Sequence, residues 1–219
     1  MMVDEDYRHF TCLYRGRDDV IGEQQPDGSF SDRPEGLTAE RFRAHLRGEA
    51  TYAIYNKLEG GTVAFAYFDL DVADKSIPWQ TMCRNLEAER TQALRLQALL
   101  LSLGLAPENL LVEFPTVGYH LLLFFDRPAP AERVKALMAT LLRTSGLPAR
   151  PYYPYATEAP RGDMIRLPLR TNLNTGRRSI FLADLATFDP ARYEETPNLH
   201  LLRRVRPLDP TPLFTALGV

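Results

Sequence analysis

The chain has 219 residues, 45% of them hydrophobic and 25% charged, a balance that excludes a disordered segment or a fibre and suits one globular domain or two small interlocked modules. Its 26 basic and 28 acidic residues leave a net charge of −2, so no whole-molecule field draws in a polyanion and nucleic-acid binding has to be local. Two cysteines, Cys12 and Cys83, and four scattered histidines exclude a zinc finger or a disulfide framework and fit a reducing cytosol. A cytoplasmic location is expected, because the N-terminus has no charged-then-apolar leader and no apolar run approaches the ~20 residues of a membrane span.

In chain order, residues 25–36, rich in Gly, Pro and Asp, read as a long loop. Thr38 is an N-cap for a helix running to Arg47, with Phe42 and Leu46 at apolar spacing. Residues 52–55 and 63–72 are β-branched and aromatic, and Glu59-Gly60-Gly61 between them predicts a hairpin. A long helix follows, with Pro78 at its start, Gly104 just past its end, and Met82, Leu86, Leu94, Ala98 and Leu101 as its apolar face. Strands at 109–114 and 119–125 precede a second helix at 131–142, an extended stretch at 148–154, and two further strands at 164–169 and 179–182. The order strand, helix, strand, strand, helix fits an α+β domain with a largely antiparallel sheet and helices on one face.

Three segments carry chemistry. Asp69 and Asp71 close an otherwise apolar strand, and the period of two sets them side by side on one face. Adjacent carboxylates repel, and a divalent cation, Mg²⁺ above all, relieves that repulsion; the other reading of Asp-x-Asp is a strand that ends in solvent. His120 opens an apolar strand directly after the Gly118 turn, where it either faces the acidic pair and donates to phosphate oxygens or serves packing. Asp163, Arg166 and Arg170 are spaced along a segment whose Pro168 favours a sheet edge. A Ser/His/Asp triad, a P-loop and a dinucleotide fingerprint are absent.

Together these segments resemble the archaeo-eukaryotic primase superfamily: Asp69-x-Asp71 on a strand, Gly118-Tyr-His120 entering a Leu/Phe strand, and Ile165-Arg166-Leu-Pro168 followed by Asn174-Thr-Gly176. Upstream, Tyr14-Arg-Gly16-Arg17-Asp18-Asp19-Val20 and His45-Leu-x-Gly48 look like the lead-in of the bacterial primase-polymerase branch found in TOTE conflict systems and beside CRISPR loci, so the likeness spans residues 7–184. It implies two interlocked modules, an N-terminal αβ part and a C-terminal part resembling an RNA-recognition fold, with the active cleft between them. Residues 1–200 would form the catalytic domain and 201–219 a C-terminal tail.

The resemblance also implies a DNA-templated nucleotidyltransferase, a primase or DNA polymerase, in which Asp69, Asp71 and His120 are catalytic. Mg²⁺ or Mn²⁺ would be held by Asp69, Asp71 and a third acid, Asp163 in preference to Glu158. His120, Gly118, Arg166 and Arg170 fall to the nucleoside triphosphate, and Arg177, Arg178 and Tyr153 to the template. The family's second motif often has serine where this chain has Gly118, a departure shared with the branch it resembles. Expected partners are a DNA template and primer, an NTP or dNTP, and a helicase or other replication or CRISPR protein, with no membrane. The alternatives are a non-catalytic nucleic-acid-binding module on the same fold, or a polymerase of end joining or plasmid replication.

Beside the motifs, residues 161–206 hold nine arginines against five acids, a modest basic patch. Tyr152, Tyr153 and Tyr155 could stack on template bases or pack in a core. Arg15 and Arg17 flank Gly16 and offer phosphate contacts or a solvated turn.

Overall fold

The computed structural model describes residues 2–219, with side chains from Glu5 onward. Its organising strand is β4 (Thr62–Asp71), an almost wholly apolar run buried on both faces. Ala66, Phe68 and Leu70 point into one core and Phe65 and Tyr67 into another. A register shift between Val63 and Phe65 keeps Val63 with the first set despite its odd number, the usual effect of a bulge.

β4 pairs antiparallel with β6 (Gly118–Pro130) and β7 (Tyr152–Tyr153), and β5 (Leu110–Phe114) pairs with β6 and with β9 (Ile180–Leu182). The resulting order is β7-β4-β6-β5-β9. Helix α3 (Trp79–Ser102) links β4 to β5, and α4 (Ala131–Thr144) links β6 to β7. This is the split βαββαβ arrangement of ferredoxin-like and RNA-recognition folds, and both helices cover the same face. The opposite face turns toward the second module and carries the site at its polar end.

The second sheet has the order β2-β1-β3-β8, all antiparallel, from β1 (Val20–Gln24), β2 (Phe30–Pro34), β3 (Tyr52–Tyr55) and β8 (Met164–Arg166). Helices α1 (Met2–Leu13) and α2 (Ala39–Arg47) bring Phe10, Leu13 and Phe42 to Ile21, Ile54 and Ile165 of this sheet. The same core continues into Phe65, Tyr67, Leu122 and Phe124 of the first sheet, so the two modules share one apolar seam. Thr38 caps α2 as expected, its Oγ1 accepting from Arg41 N at 3.2 Å.

Several expectations are corrected. Strands β3 and β4 do not form a hairpin. The turn at Gly60 and Gly61, both at positive φ, exists, but β3 continues its ladder toward β8 through Asn56 N to Asp163 O at 3.1 Å while β4 joins the other sheet. The long loop at 25–36 contains β2, an edge strand too polar to signal itself, whose pairing is supplied by β1. β8 stops at Arg166, two residues before Pro168, which cannot donate to a ladder. The buried stripe of α3 is Met82, Leu86, Glu89, Ala93, Leu96 and Leu100, so Leu94 and Ala98 fall outside it and Leu101 is 37% exposed. A search for apolar spacing passes over this stripe because Glu89 sits at its centre, neutralised by Arg150 Nη2 at 2.8 Å.

Residues 201–219 pack into both cores rather than trailing from them. Leu201 and Leu202 enter the seam between the sheets, and α5 (Thr211–Leu217) places Leu213 and Phe214 against the α3/α4 layer. Among the described residues no helix is long and apolar enough to cross a membrane.

Candidate active site

Cross-strand register brings the polar residues of three strands into one row. Asp69 of β4 lies opposite His120 of β6, and His120 lies opposite Glu113 of β5. Asp71, two residues on, faces Gly118. All point from the helix-free face of the first sheet toward the second. His120 Nδ1 and Glu113 Oε2 are 2.9 Å apart, while Nε2 stands 3.8 Å from Asp69 Oδ1 and 4.0 Å from Asp71 Oδ1. Ligand atoms of Asp69, Asp71 and His120 all fall within 4.8 Å of one another, the spacing of a metal-holding group.

The electrostatics follow from burial. Burial alone pulls the His120 imidazole down, but the Glu113 carboxylate, with Asp69 and Asp71 behind it, outweighs this and raises its pKa to about 9. At neutral pH the ring therefore carries a proton on both nitrogens, donating through Nδ1 to Glu113 and presenting Nε2–H to the cavity. Asp69 is raised above the ordinary carboxylate range, first by burial and then by Asp71, with His120 and Lys75 opposing. Asp69 Oδ1 and Asp71 Oδ1 are buried and have no hydrogen-bond partner. Two anionic oxygens left unsatisfied side by side are costly, and a hard cation is the guest that removes the cost. The donor set of two carboxylates beside a histidine fits Mg²⁺ or Mn²⁺.

Gly118 has a specific reason. A Cβ there would run into Asp71 Oδ1, Asp71 Cα and Leu70 O, so any side chain would occupy the Asp71 carboxylate's position. The departure from serine is thus required by the close approach of β6 to the end of β4.

The row opens into a cavity of about 290 Å³ between the modules, lined on the second-sheet side by Met164, Arg166, Arg170 and Asn174 and floored by Tyr14, Tyr67 and Tyr153. Arg170 is 9% exposed and, among the described residues, has no hydrogen-bond partner. Its pKa is lowered by burial and then by Arg166. Glu113 and Asp71 oppose both effects, and a buried guanidinium free of hydrogen bonds among the described residues, beside a second arginine, is a site for a multiply charged anion.

The structure brings Asp69, Asp71, His120, Arg166, Arg170 and Tyr153 to this cavity, sets Gly118 against Asp71 beside it, and leaves three assigned residues elsewhere. Asp163, expected as the third metal ligand, is outside the acidic and histidine group. Its carboxylate accepts from Tyr155 N at 2.7 Å and Ala156 N at 3.0 Å, tying a loop together. Glu158 is exposed on that loop and also outside the group. Arg178 spends its Nη1 on Leu46 O at 2.8 Å and Leu169 O at 3.0 Å, and Arg177 pairs with Glu195 at 2.9 Å with its guanidinium over Trp79. Tyr153 stacks on Tyr67, ring centroids 4.6 Å apart. Arg15 and Arg17 border a separate cavity of about 820 Å³. Glu113 had no assigned role. Its signal was a lone charge in the apolar run Leu-Leu-Val-Glu-Phe, facing His120 across a short turn.

The site thus sets paired aspartates and a histidine on one face of the first sheet against two arginines from the second module, within an α+β fold. The family model described as the archaeo-eukaryotic primase domain of TOTE conflict systems matches residues 24–209, and the chain belongs to that family. Among solved structures, the AEP domain (PP-N190) of the cyanophage S-2L primase-polymerase is 15% identical, over 93% of this chain and 97% of that one, with a TM-score of 0.44. No curated protein matches the chain.

Proposed function

We propose that the chain is a DNA-templated nucleotidyltransferase, a primase or DNA polymerase that adds nucleotides to a 3′-hydroxyl with the help of divalent cations, Mg²⁺ or Mn²⁺. The observation that carries this reading is the pair of buried oxygens, Asp69 Oδ1 and Asp71 Oδ1, without a hydrogen bond among the described residues and set beside His120 at the mouth of a cavity that also holds Arg166 and Arg170. Cations held by Asp69 and Asp71 would supply charge neutralisation at the attacking and leaving oxygens.

The protein's own part is positioning. His120 donates Nε2–H to the triphosphate, with Glu113 fixing the ring through Nδ1. Arg166 and Arg170 bind the phosphates that leave as pyrophosphate when the 3′-hydroxyl attacks the α-phosphorus. Tyr153, rigid on Tyr67, offers a face to a base at the cavity edge. The substrates are a DNA template and primer and a nucleoside triphosphate.

The test is extension of a labelled primer on single-stranded DNA, with ribonucleotides or deoxyribonucleotides and Mg²⁺ or Mn²⁺. Wild type is expected to extend the primer, and the Asp69→Ala, Asp71→Ala double variant is expected to lose extension while keeping its circular dichroism. Undiminished extension by the double variant would overturn the assignment. Template binding by the wild type with no incorporation of any nucleotide would replace it with a non-catalytic binding module.

A further inference from the structure

Of the 26 basic residues 23 are arginines, and the three lysines are Lys57, Lys75 and Lys135. Two of these serve the scaffold. Lys57 Nζ donates to Thr157 O at 2.6 Å and Ala159 O at 3.0 Å, and Lys135 Nζ lies over the Tyr155 ring at 5.0 Å. Lys75 does something different. It extends from the exposed loop between β4 and α3 to Asp71, with Nζ 2.5 Å from Oδ2, and its side chain is 42% exposed and lines the cavity of the acidic pair. The loop backbone is braced by Asp74 Oδ1, which accepts from Ser76 N and Oγ at 2.9 and 2.6 Å, so movement falls to the lysine side chain.

Asp71 therefore has one oxygen turned inward without a partner and one turned outward onto an ammonium. A cation entering the acidic pair has to share Asp71 with Lys75 or displace it. An arginine would grip the carboxylate bidentately, whereas a lysine is a compact point charge on a flexible stem that exchanges partners readily.

The geometry points to Lys75 as the resident counter-ion of the metal site, one that releases Asp71 when a triphosphate arrives to take the ammonium, so that metal and nucleotide bind cooperatively. This rests on the nucleotidyltransferase reading above. Without a triphosphate, Lys75 competes with the metal for Asp71. With one bound, the freed ammonium joins Arg166, Arg170 and His120 around the phosphates, and each ligand strengthens the other by the same factor.

The experiment is a Mn²⁺ titration followed by the electron paramagnetic resonance signal of the free ion, with metal alone and with saturating α,β-imido-dATP. Wild type is compared with Lys75→Met, Asp71→Asn and Arg166→Met. The last removes the same charge from the same cavity without touching Asp71. Lys75→Met is expected to bind Mn²⁺ alone roughly 5-fold tighter or more and to lose most of the nucleotide's enhancement, which in such coupled sites runs from about 5-fold to about 150-fold. A gain no larger than that of Arg166→Met, or an unchanged enhancement, overturns the role of Lys75. Equal Mn²⁺ affinity in wild type and Asp71→Asn overturns the metal-site reading and this inference together. Weakened binding in Asp71→Asn with Lys75→Met like wild type sinks the Lys75 inference alone.

Discussion

Acid should destabilise the second module beside the site, and the group responsible is His45 on α2. Its side chain is 1% exposed, Nε2 is 2.8 Å from Pro168 O, and Nδ1 is 3.4 Å from Tyr52 N. The backbone thus specifies a neutral ring, with Nε2–H donating to Pro168 O and Nδ1 accepting from Tyr52 N–H. Burial holds its pKa down to about 4, against an ordinary value of 6.5, with Arg170 and Arg178 adding to the effect and the Pro168 carbonyl opposing it. The unfolded chain binds a proton below about pH 6.5 and the folded chain does not until about pH 4. His45 therefore imposes no penalty above pH 7, and stability falls as pH drops through this window. At about 1.4 kcal/mol per pKa unit, the loss between pH 7 and pH 4.5 is about 2.5 kcal/mol. Urea unfolding at several pH values, followed by the fluorescence of the single tryptophan, Trp79, measures it directly. In His45→Gln, which keeps a donor for Pro168 O but cannot titrate, the drop should shrink by about that amount. Parallel stability curves for the two proteins across this range would refute the assignment. The consequence for the site is direct, because Pro168 lies between Arg166 and Arg170.

Two further predictions test the site itself. Gly118→Ala should retain the fold's circular dichroism, with a cost of about 1–3 kcal/mol from forced crowding. It should weaken Mn²⁺ binding at least ~10-fold, because the added methyl displaces the Asp71 carboxylate; wild-type affinity in a calorimetric titration would contradict this. Arg170→Gln should raise the KM for nucleotide about 10-fold or more, as loss of a charge-assisted hydrogen bond costs about 1.5–3 kcal/mol. It should change the Tm little, since among the described residues Arg170 makes no hydrogen bond and the variant loses only the attraction of Glu113 and Asp71 while relieving the repulsion of Arg166. A Tm several degrees lower with an unaltered KM would make Arg170 a structural residue instead.

What the sequence made legible follows from the range of the interactions involved. Asp69, Asp71 and His120 could be found because strand periodicity and a short hairpin are local, and both put polar residues on one face with nothing but near neighbours to consult. Glu113 was just as local, facing His120 across the same short turn, but as a single charge in a strand that otherwise looks like core it drew no role. Asp163 lies outside the acidic group because it leads into β8, which belongs to the second sheet, and there the carboxylate accepts from the amides of Tyr155 and Ala156. Arg178 looked like part of a basic patch, but its guanidinium reaches back to carbonyls at Leu46 and Leu169. The false hairpin between β3 and β4 belongs to the same class of error. A glycine turn predicts a reversal, but whether the two strands then pair depends on β8 and β6, more than fifty residues away in sequence.

The places where local rules fail are not scattered evenly. Seven buried side-chain atoms lack a hydrogen-bond partner among the described residues, and three of them, Tyr14 Oη, Asp69 Oδ1 and Asp71 Oδ1, belong to residues lining the same cavity. Arg170, 9% exposed, lines it too, though its nitrogens are not among those seven atoms. Each such group costs about 1–3 kcal/mol while unsatisfied, and the fold tolerates them because two extensive cores, one under α3 and α4 and one between the sheets, supply the stability. Within the cavity the carboxylates come from β4 and β5 of the first sheet, with His120 and Lys75 beside them, and the guanidiniums from β8 and the segment that follows it. A ligand that satisfies all of them must present positive charge to one wall and negative charge to the other, and a metal-bound triphosphate does so. The energy stored in the unpaired groups then becomes binding energy for that ligand over a bare cation or a bare phosphate.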